Sequence, residues 1–172
     1  MSDIFAEQLV VKKSSSADNA RRVMIAVGSV FICLAIVWLA FWYIIYLLAA
    51  LPFTILYQVR LFRSVFTEYE YSVTNGEIDV IKITGKSKRV ALITAELKDV
   101  YSFAKFNKGD ADRYDTVIAA HDRSGQGAYR LSLKNPKYGD TIIILSPDKR
   151  ILSAVNAFVP KAVKLEGISD TE

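Results

Sequence analysis

Two hydropathy patterns divide this chain. Residues 23–59 are continuously apolar, 37 positions without a charge, among which only Gly28, Ser29, Pro52, Thr54 and Gln58 fall outside the hydrophobic set. Beyond them the pattern turns to alternation. Glu68-Tyr69-Glu70-Tyr71-Ser72-Val73-Thr74 alternates polar with aromatic or β-branched residues and predicts a half-buried strand with Tyr69, Tyr71 and Val73 on one face. Asn75-Gly76 follows, the pair favoured by a two-residue turn with positive φ at both central positions, and residues 77–84 alternate back as the returning strand. Gly85-Lys86-Ser87-Lys88 predicts another turn. Further strands are expected over residues 89–94, over 100–106 with Tyr101 and Phe103 on one face, and over 115–121, 128–134 and 141–145. The period then changes to 3.6. Ile151, Leu152, Val155, Phe158 and Val159 share one face of a helix over 147–159, with Ser146 as N-cap, Pro147 in the first turn and Pro160 as the stop.

The length of the apolar run decides between architectures. One helix of 37 residues would measure about 55 Å, nearly twice the hydrocarbon thickness. Two helices of about 17 residues would each reach about 25 Å and fit with slight thinning of the bilayer. A transmembrane helical hairpin over 23–59 is therefore expected, with its turn near 39–43. A single helix kinked near Pro52 is the alternative. Basic residues flank both ends, Lys12, Lys13, Arg21 and Arg22 before and Arg60 and Arg63 after, which places both termini in the cytoplasm. Trp38, Trp42 and Tyr43 lie mid-run, where a hairpin meets the far interface, the level such side chains favour.

The flanks divide accordingly. Residues 1–22 form a cytosolic N-terminal segment, either a surface helix built on Ile4, Phe5 and Leu9 or a disordered tail. Residues 60–160 form a β domain with its C-terminal helix, and 161–172 a flexible tail. The expected class is α+β: the hairpin, then a small antiparallel β barrel or sandwich of about seven strands, capped by a helix.

Seven short strands followed by one amphipathic helix resemble the pleckstrin-homology-like (PH-like) fold, particularly the bacterial membrane-associated type in which two short spans precede the β domain. The segment Tyr69-Glu70-Tyr71-Ser72-Val73-Thr74-Asn75-Gly76-Glu77-Ile78-Asp79-Val80 and the opening Met-Ser-Asp-Ile-Phe-Ala-Glu-Gln-Leu-Val are similar to an uncharacterised family of small bacterial two-span membrane proteins. The resemblance covers most of residues 1–160 and implies architecture, not an activity.

Candidate chemistry is sparse. His121 is the only histidine and Cys33 the only cysteine, too few for a zinc site, and the expected bilayer boundary between them separates a Cys-His nucleophilic pair. Asp110, Asp112 and Asp115 sketch a calcium loop, but Arg113 and Tyr114 stand where oxygen ligands are needed and no glutamate closes it. No catalytic residue, metal or cofactor is expected. Residues 60–172 hold 18 basic and 15 acidic side chains, too balanced for a nucleic-acid surface. The remaining signal is the basic loop Lys86, Lys88 and Arg89, which with Arg60 and Arg63 reads either as a contact for anionic lipid headgroups or a protein partner, or as a solubilising turn beside topology signals.

These readings converge on a non-enzymatic binding or assembly module, multi-pass in the bacterial cytoplasmic membrane. Its partners would be the lipid bilayer, anionic headgroups, and a protein partner or a second copy. The alternative is an accessory subunit of a membrane transport or envelope-stress complex, recognised through its hairpin.

Overall fold

The computed structural model describes residues 4–42, 45–107, 109, 113–122 and 127–166. In chain order the elements are β1 (Phe5–Val11), α1 (Ser16–Trp42), a 3-10 helix (Ile45–Ala50), α2 (Leu51–Arg63), β2 (Thr67–Thr74), β3 (Glu77–Thr84), β4 (Lys88–Glu96), β5 (Val100–Lys105), β6 (Thr116–Ala120), β7 (Tyr129–Asn135), β8 (Gly139–Leu145) and α3 (Lys149–Phe158). They fall into two compact units, one of residues 1–13, 68–83 and 89–172, the other of residues 14–67 and 84–88.

The first unit is built from two sheets, ordered β1-β2-β3-β4 and β5-β7-β8-β6. The β2–β3 hairpin has the expected boundaries, and Asn75 and Gly76 adopt φ of 48° and 92°, the left-handed conformations its turn demands. Tyr71, Val73, Ile78, Val80, Leu131 and Ile143 are essentially sealed from solvent in one core that α3 covers through Ile151, Val155 and Val159.

Several expectations need correction. The described residues hold eight strands in two sheets, and the sheets are not wholly antiparallel, because β6 runs parallel to β8 from Thr116↔Thr141 to Ala120↔Leu145. The segment expected as surface helix or disordered tail is β1. It pairs antiparallel with β2 from Phe5↔Thr74 to Val11↔Glu68 and turns Val10 into the core. Its Gln8 amide clamps the entry to α3, accepting a hydrogen bond from the Asp148 backbone N–H (2.7 Å) and donating to the Ser146 carbonyl (3.2 Å). The N-cap of α3 is Asp148, whose carboxylate accepts from the Ile151 N–H at 2.8 Å, and Ser146 instead receives the Asp122 N–H on its hydroxyl. Tyr101 is exposed while Phe103 is buried, since a bulge between Val100 and Ser102 breaks the alternation. The first part of the expected tail is anchored: Asn156 exchanges hydrogen bonds with the Leu165 backbone, and Val163 and Leu165 pack on the core.

The second unit contains the apolar helices. Among the described residues α1 is the one helix long and apolar enough to cross a membrane, and its apolar side chains are not buried within the protein: Met24, Phe31, Trp38 and Phe41 are all more than 60% exposed. It runs unbroken through Trp42, so the chain does not turn at 39–42; Tyr43 lies outside the described residues. Pro52 sits in the first turn of α2, where its missing N–H costs nothing, and it starts that helix instead of kinking a longer one. The two helices touch where the Cys33 thiol faces the Gln58 amide oxygen at 3.9 Å, and the Arg22 guanidinium lies 4.2 Å from the centre of the Phe66 ring.

Candidate anion-binding cleft

Arg60 and Arg63 occupy the last turn of α2, where positive charge complements the carbonyl end of the helix. The turn from β3 to β4 belongs to the same unit and meets them. The Gly85 N–H donates to the Phe66 carbonyl at 2.9 Å, and its φ of 63° favours glycine there, although a Cβ would meet the Arg63 carbonyl oxygen only at an ordinary contact distance of 3.4 Å. Between them opens a cleft of about 530 Å³ that brings together Arg60, Arg63, Lys86 and Lys88. Leu56 and Val59 form an apolar part of its wall, and among the described residues no carboxylate lines it. None of these four cations makes an ion pair or side-chain hydrogen bond with another described residue.

Lys86 is held at φ 61°, in the left-handed region. A residue with a Cβ is disfavoured there by roughly 1–2 kcal/mol, and asparagine or glycine is the usual occupant. The position is locally unfavourable for lysine and sits in the turn that forms the cleft.

Arg89, grouped with this loop on sequence, belongs to neither the cleft nor its unit. Its guanidinium pairs with both carboxylate oxygens of Glu70, at 3.2 and 3.4 Å, and Glu70 is mostly buried. Alternation along β4 carries consecutive side chains to opposite faces, so adjacency in sequence did not imply a shared site. The membrane-interface candidates Trp38 and Trp42 lie in the last turns of α1, both exposed, with the Trp42 ring edge-on to Phe41.

The remaining polar clusters are structural. The Asp115 carboxylate accepts from the Asp140 backbone N–H at 3.0 Å and so braces the β7–β8 turn; Asp110 and Asp112 lie outside the described residues. Among the described residues no three His, Cys, Asp or Glu side chains gather as a metal site needs. His121 lies just past β6 beside the Phe106 ring. Sequence reading missed the role of the Tyr71 hydroxyl, which is buried, donates to the Ala120 carbonyl and accepts from the Ser146 N–H, joining β2 to β6 and the β8–α3 connection. Burial pushes this phenol well above its ordinary value, against the opposing effect of the Ser146 hydrogen bond. Its place on the inward face of a strand was legible, but its partners were not.

Two four-stranded sheets closed by a C-terminal helix, with an apolar helix outside their core, define a PH-like α+β protein. The family model described as Bacterial PH-like domain (DUF6106) matches residues 2–165, and the chain belongs to that family. The matched segment runs from β1 through both apolar helices to the end of the β domain. No curated protein and no solved structure matches the chain.

Proposed function

We propose that the chain is a non-enzymatic binding or assembly module held at the cytoplasmic face of the bacterial membrane by a two-span hairpin inserted into its own PH-like sheet. The observation that carries this reading is the register of β1 with β2. Val11 is the Cα partner of Glu68, so the 56 residues between them leave and re-enter the sheet at one place. A chain that crosses a bilayer from that point must come back. The apolar stretch of α1, residues 23–42, measures about 30 Å, one hydrocarbon thickness. The apolar part of the return leg, six residues of 3-10 helix and residues 51–59 of α2, measures about 25 Å, which fits with slight thinning of the bilayer. The Cys33–Gln58 and Arg22–Phe66 contacts agree with two helices running back along one another, and the basic flanks favour the cytoplasmic side.

The mechanism is tethering through two attachments. Residues 12–15 and 64–66 join the helices to neighbouring strands, so the β domain is held at the bilayer from both ends of the insertion, and weak contacts with a partner gain effective concentration.

Excision tests this directly. Replacing residues 12–67 with Asn-Gly should join Val11 to Glu68 as an ordinary hairpin and yield a soluble, cooperatively folding domain, while the full chain stays with the membrane after alkaline carbonate washing. A full chain released by carbonate, or an excised domain that fails to fold, would overturn the reading.

A further inference from the structure

We propose that the cleft between the end of α2 and the β3–β4 turn binds the phosphate of an anionic phospholipid; this rests on the membrane-hairpin reading. Arg60, Arg63, Lys86 and Lys88 are brought together without a counter-ion among the described residues, an arrangement that repels itself until an anion enters. Phosphate oxygens are the matching acceptors, and arginine's planar fork suits them.

The remaining wall tells a lipid from a soluble anion. Leu56 and Val59 precede Arg60 by one turn and one residue on the same helix, and all three line the cleft. Arg60 is the first charge after the apolar run, so in a hairpin it stands where hydrocarbon gives way to headgroups. The α2 wall thus passes from apolar to cationic and the turn opposite adds two lysines, which suits a molecule with acyl chains next to its phosphate, whereas a free phosphate would leave the apolar part unused. The left-handed backbone at Lys86 is a second, independent sign. Strained positions concentrate at functional sites, and here an unfavourable residue is retained where it contributes a cation.

The test uses the full-length protein in non-ionic detergent micelles, with bound lipid counted by native mass spectrometry. Phosphatidylglycerol is titrated against phosphatidylcholine, which carries the same phosphate neutralised by its own cation, and glycerol phosphate serves as a competitor without acyl chains. Each cation near the headgroup contributes about fivefold in affinity, so Arg63→Gln with Lys86→Gln should weaken phosphatidylglycerol binding by about tenfold or more. Lys149→Gln with Lys161→Gln, an equal charge change outside the cleft, should leave it unchanged. Equal retention of both lipids, or identical phosphatidylglycerol retention by the double variant, would reduce the contact to unspecific annular lipid and overturn the proposal. Competition by glycerol phosphate at concentrations equal to the lipid would overturn the choice of a lipid. These outcomes leave carbonate extraction untouched, so failure of the cleft and failure of the hairpin are separable.

Discussion

Strand β3 has a tight turn at each end, and the two are occupied on opposite principles. At its start, Asn75 and Gly76 fill the left-handed positions with the residues that tolerate them best, and a Cβ on Gly76 would lie 3.2 Å from the Phe158 ring of α3. At its end, Gly85 and Lys86 take φ of 63° and 61°, placing a lysine where asparagine would fit better. The first turn is optimised for stability and packs into the core. The second gives up stability to present a cation beside two arginines. Two equivalent backbone tasks on one strand are thus solved differently, and the less stable solution lies at the end where we propose the lipid site.

Substitutions should separate the two ends. Gly76→Val should be the most damaging, because a β-branched residue at φ 92° against Phe158 combines strain with overlap; a loss of about 2–4 kcal/mol is expected in denaturant unfolding of the solubilised protein. Tyr71→Phe, on the strand that enters the same turn, removes a hydroxyl that serves both the Ala120 carbonyl and the Ser146 N–H, at about 1–3 kcal/mol. The same phenol sets an alkaline limit. Its folded pKa lies above its unfolded value near 10, so the unfolded chain loses the proton first and stability should decline as pH rises beyond about 10. A melting temperature equally pH-dependent in wild type and Tyr71→Phe would show that this residue is not the cause.

Smaller effects are expected beside the functional turn. Arg89→Gln leaves the mostly buried Glu70 without its partner, but Arg89 is itself largely exposed, which limits the loss to about 1 kcal/mol. Lys86→Asn should move the other way, gaining about 0.5–1 kcal/mol by relieving the left-handed lysine while lowering phosphatidylglycerol retention several-fold. If Lys86→Asn destabilises the protein, the contrast between the turns fails.

The sequence made local structure legible where one period or one turn decided it. Alternation around Tyr69, Tyr71 and Val73, the Asn75-Gly76 signal and the face of α3 from Ile151 to Val159 all appear at the expected places. What stayed hidden depends on pairing over long separations. β1 lies 56 residues from its partner, and Phe5 and Leu9 also fit a helical spacing, so nothing local announced a strand. The parallel β6–β8 pairing and the bulge at Tyr101 are likewise invisible without their neighbours. The cleft was half legible: Lys86, Lys88, Arg60 and Arg63 stood out as charges, but only the approach of Gly85 to the end of α2 unites them, and only the Glu70 pair removes Arg89.

The central claim is that a membrane hairpin is inserted between two paired strands, and labelling of single cysteines with a membrane-impermeant maleimide tests it most directly. In a Cys33→Ala background, Trp42→Cys, at the end of α1, should react in intact cells stripped of their outer layers, whereas Ser14→Cys and Ser64→Cys, at the two ends of the insertion, should react only after the membrane is opened. Reaction of Ser14→Cys and Ser64→Cys from opposite sides would contradict the account, because strands separated by a bilayer cannot form the β1–β2 ladder.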